Sequence, residues 1–409
     1  MNKRLVPAYL LTLVNVLGFS ILMPILPFVV EDYGAPKWVF GLLLTLYSAF
    51  QFFGAPYLGA MSDSIGRKPV LVISQIGTLF SWIVFVIALS LPEVPMWGMV
   101  LPLWIIIFSR IIDGITGGNT AVANAYVADI TTRKEKGYIF GYLGGIAGIG
   151  FIIGPGIGGL AASTSWGYMG TMFFAIFISV ITLITIIFWL RESHPVEKRV
   201  PKQRQSILKS FLILRRIREI DPAPIVKVLF VLKFFFSSMM AFYISTISLF
   251  LIDLFKFDVQ HLGYFMFAGG TFLAINQAFV SHQFIKRLGE YRTLLLGLGL
   301  SSIGLIFLTL TDNIVAFVAF YYVLNLGLSL CFPTFTALIA IHANPKKQGE
   351  IMGVSESIGS FTMALFPVLG ALLYSIIGFE LYWGLSLLPL IALIIALVTY
   401  KRLGPAVLE

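Results

Sequence analysis

Long apolar runs constrain this chain more than any other feature of its sequence. Charged or turn-forming clusters separate twelve such runs, and about 20 apolar residues suffice for a helix to cross the hydrocarbon core of a bilayer. Backbone groups in lipid must bond within their own segment, so these runs require helices. The predicted spans are 6–30, 38–60, 70–91, 98–127, 138–162, 168–190, 224–252, 261–285, 293–311, 314–342, 350–376 and 380–400.

The composition supports this interpretation. Of the 409 residues, 58% are apolar and 11% are charged, whereas soluble domains carry roughly 25% charged residues. These proportions exclude a soluble globular domain, a disordered chain and a collagen-like repeat. The single cysteine, Cys331, excludes an internal disulfide. We therefore predict an all-α membrane protein with twelve transmembrane helices.

The distribution of lysine and arginine predicts the orientation. If the N-terminus is cytoplasmic, 23 of the 28 basic residues fall on the inner side, as the excess of positive charge in cytoplasmic loops requires. Both termini are then cytoplasmic, and the expected location is a bacterial inner membrane. The net charge of +9 is thus a topology signal with affinity for anionic lipids, and no nucleic-acid partner is expected. The inner-side residues include Lys3, Arg4, Arg133, Lys134, Lys136, Lys346 and Lys347.

A polar segment divides the chain into two halves. The predicted domains are a six-helix bundle at 1–190, a cytoplasmic linker at 191–223 and a second six-helix bundle at 224–409. Within the linker, Ser206–Ile220 has an apolar face and a basic face. Two interpretations stay open for this amphipathic helix: it lies in the membrane surface, or it is a solvated linker that only tethers the halves.

The two halves resemble each other. A shift of 212 residues superposes turn-type residues of spans 5 and 11, which indicates an internal repeat. Parallel six-helix repeats are typical of secondary transporters, whose substrate site lies at mid-membrane. The superposed pairs are Gly137 with Gly349, Gly141 with Gly353, Pro155 with Pro367, and Gly158 with Gly370.

The loop after span 2 carries a specific pattern of Gly59, Asp63, Gly66, Arg67 and Lys68. Glycine permits a tight reversal, the aspartate can pair with a cation or a helix N-terminus, and the basic pair keeps the loop inside. This pattern resembles the signature loop of the major facilitator superfamily. The resemblance implies two six-helix bundles whose cytoplasmic ends the loop locks in one conformation. The alternative is a simple positive-inside turn.

Span 4 contains a membrane-embedded acid–base pair, Arg110 and Asp113. An arginine at a helix centre costs about 2.5–3.5 kcal/mol on insertion scales, so it needs a partner or an aqueous cavity. Asp113 follows three residues later, on the same helical face. The segment resembles the span-4 arginine motif of proton-coupled exporters, which implies that Arg110 tunes a proton site. The alternative is a static ion pair that holds helices together.

Span 5 contains closely spaced small residues around a proline. Such residues let helices approach closely, and proline bends the helix. The stretch resembles the signature of the drug/proton antiporter branch of the superfamily, which implies export. The motif residues are Gly150, Gly154, Pro155, Gly158 and Gly159.

The first half is most similar to tetracycline/proton antiporters, with one important departure. The three membrane aspartates of those exporters align here with Asn15, Ser81 and Ser301. This departure argues against tetracycline–metal export through that family's proton site.

The remaining polar residues of the spans supply further candidates. Glu356 is a second proton-coupling candidate, or else a carboxylate that is hydrated or paired with a lysine near the cytoplasmic end. Lys233 either extends to the inner interface or faces the cavity and attracts an anion. Histidines show no clustering of metal-ligand type, so no metal is expected. The candidate substrate-binding residues, each equally explained by interhelical hydrogen bonding, are Asn15, Gln51, Asn119, Lys233, Asn276, Gln277 and Asn325.

These features favour a secondary active transporter, not an enzyme. We expect a proton-coupled antiporter that exports an amphipathic small molecule, a drug-like compound or metabolite, by alternating access, and the family resemblance implies that a monomer suffices. No cofactor is expected, since the proton gradient supplies the energy. One alternative is an importer or facilitator of an anionic metabolite or siderophore, and another is a lipid translocase. An ATP-driven pump is disfavoured because the phosphate-binding G-x-x-x-x-G-K-[ST] loop is missing from the sequence.

Overall fold

The computed structural model describes residues 5–132, 135–199, 213–344 and 347–403. Almost all of these residues are helical, apart from one antiparallel pair of two-residue strands, Pro95–Met96 and Met99–Val100. Several residues behind the orientation prediction lie outside the described ones, namely Lys3, Arg4, Arg133, Lys134 and Lys346. Of the predicted linker helix, residues 206–212 lie outside as well, and the remainder is helical at Ile213–Ile220.

The helices of the first half follow the apolar runs. They are α1 Val6–Ser20, α2 Leu26–Asp32, α3 Trp38–Ile65, α4 Arg67–Ser90, α5 Leu101–Gly117, α6 Thr120–Ile130, α7 Lys136–Ala162 and α8 Tyr168–Trp189. A 3₁₀ turn at Val196–Lys198 follows α8.

The helices of the linker and second half continue in the same manner. They are α9 Ile213–Ile220, α10 Pro224–Phe255, α11 Val259–Ile275, α12 Ser281–Leu288, α13 Glu290–Phe307, α14 Ile314–His342, α15 Gln348–Ile377 and α16 Leu381–Leu403. A π-helical segment, Asn276–Val280, joins α11 to α12, and a 3₁₀ turn, Gly378–Glu380, precedes α16.

The expected continuous helix over 6–30 is wrong. Helix α1 ends at Ser20 and α2 begins at Leu26, with hydrogen-bonded turns between them. Pro24 lies in this break, and proline lacks the N–H that a continuous helix requires. Pro27 stands in the first turn of α2, a position where that missing donor carries no cost.

Nine helical stretches within the described ranges are long and apolar enough to cross a membrane. One of them, Gln348–Lys401, spans 54 residues and covers α15 and all but the last two residues of α16. Helix α1 is apolar but shorter, with 15 residues. Many large apolar side chains are exposed, such as those of Phe188 and Ile376, as expected for a lipid-facing surface. The count of twelve spans stays a prediction.

The chain groups into two compact units. The N-terminal unit comprises Met1–Phe211 with Phe257–Phe267, and the C-terminal unit comprises Leu212–Lys256 with Ala268–Glu409. The sequence-based domain boundaries at 190 and 224 stay predictions.

Each unit has the same order of helix neighbours. In the N-terminal unit α1 packs against α7 and α8, while α4 packs against α5 and α8. In the C-terminal unit α10 packs against α15 and α16, while α13 packs against α14 and α16. These pairs correspond one to one when the spans of each half are numbered from its own start.

Candidate functional site

Helix α5 carries the acid–base pair of span 4. The Arg110 guanidinium donates through Nη1 to Asp113 Oδ2 at 3.2 Å, and the two side chains are 3% and 4% exposed. Helix α5 packs between α3 and α4, so both charged groups lie in the interior of the N-terminal unit. Burying two charges costs several kcal/mol per ion unless they are paired and hydrogen-bonded. Because both side chains are almost completely buried, the pair is sealed from water in this conformation.

Aromatic rings of α4 surround the guanidinium. The Cζ atom of Arg110 lies 4.8 Å from the ring centroid of Trp82 and 5.4 Å from that of Phe85. A cation over an aromatic face is stabilised by about 0.5–2 kcal/mol. Within the described residues, Arg110 Nε is buried without a hydrogen-bond partner. The site therefore stabilises the arginine charge without satisfying all of its donors.

Two polar side chains interact with the Asp113 carboxylate. Ser81 of α4 comes within hydrogen-bonding range of it, and the carboxylate charge acts through space on the Tyr47 hydroxyl of α3. The sequence resemblance described above aligns Ser81 with a membrane aspartate of the tetracycline exporters. The carboxylate of this chain thus comes from α5 and reaches the neighbourhood of that position on α4.

A chain of hydrogen bonds extends along the same interior. Thr116 and Thr78 join their hydroxyls at 3.0 Å, and Asn119 Nδ2 donates to Ser74 Oγ at 2.8 Å. Asn15 Nδ2 then donates to Asn119 Oδ1 at 2.6 Å. These bonds link α1, α4 and the α5–α6 segment. Of the three candidates in this unit, Asn15 and Asn119 are brought together.

The third candidate of the N-terminal unit lies one helix away. Gln51 of α3 donates through Nε2 to the Gly117 carbonyl at 3.2 Å and to the Tyr47 hydroxyl at 3.3 Å. It is half-buried. Through Tyr47, Gln51 is connected to the Asp113 environment.

In the C-terminal unit, Lys233 pairs with Glu356. Lys233 Nζ donates to Ser355 Oγ at 2.7 Å and to Glu356 Oε1 at 3.1 Å, which joins α10 to α15. The lysine side chain is 14% exposed and the glutamate side chain 75%. Of the open alternatives for Glu356, this geometry is that of the lysine-paired carboxylate. Their roles in proton coupling and substrate binding stay predictions.

The remaining candidates lie in the π-helical segment after α11 and in α14. Asn276 begins the π-helical segment, is 1% exposed, and accepts a hydrogen bond from the Tyr322 hydroxyl at 3.0 Å. Asn325 is buried and donates to the Tyr321 carbonyl at 3.3 Å, while Gln277 is exposed. Single-turn π segments are frequent at functional sites. Asn276 and Gln277 thus occupy a local irregularity of the backbone.

The glycines of span 5 bring α7 close to α1. A Cβ atom at Gly158 would overlap the carbonyl oxygen of Ile21, and one at Gly154 would overlap the hydroxyl of Ser20. The Ser20 hydroxyl also donates across this contact to the Gly150 carbonyl at 3.0 Å. Small residues of this motif therefore serve helix packing within the unit.

Of the other motif residues, Gly150 also faces α1, whereas Gly159 faces α11. A Cβ atom at Gly150 would lie 3.0 Å from Val16, and one at Gly159 would lie 2.7 Å from the carbonyl oxygen of Val259. Pro155 lies inside α7, where it leaves one helical hydrogen bond unmade.

A matched pair of alanine substitutions tests this packing. We expect Gly158→Ala to destabilise the protein by about 1–3 kcal/mol, because backbone must move to admit the methyl group. Gly148→Ala on the same helix meets open space and is expected to be neutral or to stabilise by up to about 1 kcal/mol. Thermal unfolding of both purified variants measures the difference. Equal midpoints would contradict the packing assignment.

The loop after α3 is fixed by Arg67. Gly66 has a φ of 106° between α3 and α4, a conformation that favours glycine. The Arg67 guanidinium donates to the Asp63 carboxylate, to Ser62 Oγ at 2.6 Å and to Asp129 Oδ2 at 3.1 Å. The arginine is buried. Asp63 therefore pairs within its own loop, and Asp129 at the end of α6 anchors the loop to the unit.

The other loop residues contact α3 itself and α8. The Gly59 carbonyl accepts from Ser62 Oγ at 2.7 Å. Lys68 Nζ donates to the Ile187 carbonyl of α8 at 2.7 Å. The loop is thus attached to both α6 and α8.

Glu192 is a functional candidate that sequence reasoning missed. Its carboxylate accepts the backbone N–H groups of Arg67 at 2.9 Å and Lys68 at 3.1 Å. It therefore caps α4, where unpaired N–H groups and the helix dipole favour negative charge. The sequence offered two weak signals: an acidic residue directly after span 6, and a helix start at Arg67 without a capping side chain of its own. Its partner lies 125 residues away.

We expect Glu192→Gln to loosen the start of α4. The amide side chain retains an acceptor but loses the charge-assisted part of the cap, which is worth about 0.5–2 kcal/mol. Hydrogen–deuterium exchange of peptides covering residues 66–70 should accelerate. Exposed Glu197→Gln, in the nearby 3₁₀ turn, is the matched control. Unchanged exchange in the Glu192 variant would show that the cap contributes nothing.

Across the described ranges, groups of three or more His, Cys, Asp or Glu side chains placed to hold a metal ion do not occur.

Comparison with known proteins supplies the context for this site. The family model described as Major Facilitator Superfamily matches residues 8–367 and, in a second match, 278–407. The class D tetracycline resistance protein of Salmonella ordonez is 31% identical over 381 residues, which cover 92% of this chain and 90% of that protein. Multidrug resistance protein 2 of Bacillus subtilis (strain 168) is 26% identical, with 91% and 90% covered.

A solved structure shares the fold. The inward-facing, unoccupied structure of a bacterial homologue of the human lysosomal transporter Spinster superposes with a TM-score of 0.74. It is 13% identical and covers 98% of this chain and 98% of its own.

Proposed function

The chain belongs to the major facilitator superfamily and is therefore a multi-pass membrane transporter rather than an enzyme, and we propose that it is a proton-coupled exporter of amphipathic small molecules. The buried Arg110–Asp113 pair carries this proposal. A carboxylate in a membrane interior that has a specific charge partner is poised to bind and release a proton. A static ion pair that only holds helices together would be equally buried, but transport would not depend on its protonation.

The relatives support the direction of transport. Their names describe resistance to tetracycline and to multiple drugs, and a membrane transporter makes a cell resistant to a drug by exporting it. The span-5 motif of this chain also resembles the signature of the drug/proton antiporter branch, and its glycines pack closely as described above. Both observations favour export over import of an anion by Lys233 and Arg110.

Asp113 takes the proton role in this proposal. Its carboxylate interacts with Ser81, the position that the sequence resemblance aligns with a membrane aspartate of the tetracycline exporters. Because Asp113 is sealed here, proton exchange requires a second conformation in which water reaches the carboxylate. Arg110 sets the free energy of that exchange through its charge. Glu356, paired with Lys233, is proposed as a second titrating group.

The other parts of the proposal follow from this mechanism. The proton gradient is the energy source, without a cofactor, and a monomer suffices. The protein lies in a bacterial inner membrane with both termini on the cytoplasmic side. The loop held by Arg67 stabilises one of the alternating conformations. Asn15, Gln51, Asn119, Lys233, Asn276, Gln277 and Asn325 are the proposed substrate contacts.

Everted membrane vesicles test the proposal. An imposed gradient, acid inside, is expected to drive uptake of an exported compound, with tetracycline and ethidium as the first probes. Vesicles without the protein, and vesicles treated with a protonophore, provide the baselines. Uptake at the same rate with and without the pH gradient, together with entry of the compound into intact cells, would instead support a facilitator or importer.

A further inference from the structure

A cavity of about 300 Å³ lies at the end of the N-terminal unit where α2 and α4 end and α8 begins. This is the opposite end of α4 from the loop held by Arg67. Its lining combines two carboxylates, three aromatic rings and three apolar side chains. The polar and aromatic members are Asp32, Tyr33, Glu93, Trp166 and Tyr168. None of the proposed substrate contacts lines it.

The cavity is electronegative. The Tyr168 hydroxyl donates to Asp32 Oδ2 at 2.6 Å, and a carboxylate has room for further donors. Burial, then the nearby Glu93 and Asp32 carboxylates, raise the pKa of the Tyr33 hydroxyl. Both carboxylates therefore contribute negative charge to the same cavity. Because the lining residues include no lysine or arginine, a positive ligand is favoured there.

The aromatic rings define what kind of cation fits. Tyr33, Trp166 and Tyr168 present π-systems, which attract cations over their faces. Trp166 is 65% exposed, yet its ring packs edge-on against Phe173 with centroids 5.4 Å apart. The tryptophan is therefore positioned rather than free. A small hydrated metal ion interacts weakly with aromatic rings, whereas an organic ammonium can contact the ring faces and the carboxylates together.

We propose that this cavity binds a monovalent organic cation, of the quaternary ammonium class, that carries an apolar or aromatic group. Its volume of about 300 Å³ matches the lower range of small-molecule pockets. Asp32 and Glu93 neutralise the charge, while the rings of Tyr33, Trp166 and Tyr168 surround it. The site does not depend on the direction or energy source of transport.

Titration calorimetry of the purified full-length protein with benzyltrimethylammonium tests the site. Asp32→Asn/Glu93→Gln is expected to weaken binding at least about ten-fold, because both neutralising charges are lost. Asp312→Asn/Glu380→Gln makes the same change in net charge at two exposed acidic residues of the C-terminal unit. This control should retain the wild-type affinity within about two-fold.

Two further measurements separate the contribution of the aromatic rings from that of the charge. Tyr33→Leu should weaken binding about five-fold, whereas Tyr33→Phe, which keeps the ring, should not. Benzyl alcohol, which carries no charge, should not compete. Equal affinity of the wild type and Asp32→Asn/Glu93→Gln would overturn the proposal, as would binding of Mg²⁺ in place of benzyltrimethylammonium. An unchanged thermal midpoint shows that the variants are folded.

Discussion

Replacing Asp113 by asparagine is expected to abolish gradient-driven accumulation of substrate and to leave equilibrium binding within about three-fold. Asparagine preserves the size and the acceptor that faces Arg110 but cannot take up or release a proton. Uptake into everted vesicles under an imposed gradient, together with binding to the purified variant, measures both quantities. Exposed Asp312→Asn serves as the control, and it should transport normally.

Accumulation against a gradient by the Asp113 variant would assign the proton to another group. Glu356→Gln, measured in parallel, shows whether the second carboxylate is required. Because Arg110 loses its counter-charge in the Asp113 variant, the amount of folded protein is measured in the same vesicles.

Removing the arginine is expected to have the largest effect on stability. Arg110→Met leaves a carboxylate buried without its cation, and breaking such a pair costs about 3–5 kcal/mol. The variant also loses the contact with the Trp82 ring at 4.8 Å. Thermal unfolding in detergent should show a clear loss of stability, whereas Arg110→Lys should recover part of it.

A double-mutant cycle isolates the pair itself. The Arg110→Met/Asp113→Asn variant is expected to be more stable than the sum of the single effects predicts, because neither charge remains unpaired. A coupling of about 1–3 kcal/mol is expected for groups in direct contact. Additive effects would show that the contact at 3.2 Å contributes no interaction energy.

Local features of this chain were predictable from sequence. The predicted all-α membrane architecture with the major facilitator fold is confirmed by the family match and the shared fold of a solved transporter. The helical repeat alone places Arg110 and Asp113 on one face, three residues apart. Glycine at position 66 indicated a tight reversal between two helices, and its φ in the structure is positive. These statements need only short-range geometry.

Long-range partners were not predictable in the same way. Glu192 and Asp129 meet Arg67 across 125 and 62 residues, and Lys233 meets Glu356 across 123. Which faces of packed helices meet depends on the whole unit rather than on local periodicity. The break at Pro24 was missed for a different reason, since membrane helices often continue through proline.

The cavity at the ends of α2, α4 and α8 had no sequence signal either. Asp32 ends α2 and Glu93 lies in the segment after α4, while Trp166 just precedes α8 and Tyr168 begins it. Acidic and aromatic residues of loops are common, so only their convergence around one space identifies them as a candidate site.

The central claim, exchange of substrate for protons, is tested most directly in proteoliposomes of purified protein with a trapped pH dye. Ethidium, whose permanent charge carries no proton by passive leak, is loaded inside without a pH gradient and with the membrane potential clamped. As ethidium leaves, the wild-type lumen is expected to become acidic, and the Asp113→Asn lumen to stay unchanged. Ethidium exit with no pH change, or with an alkaline lumen, would contradict proton antiport.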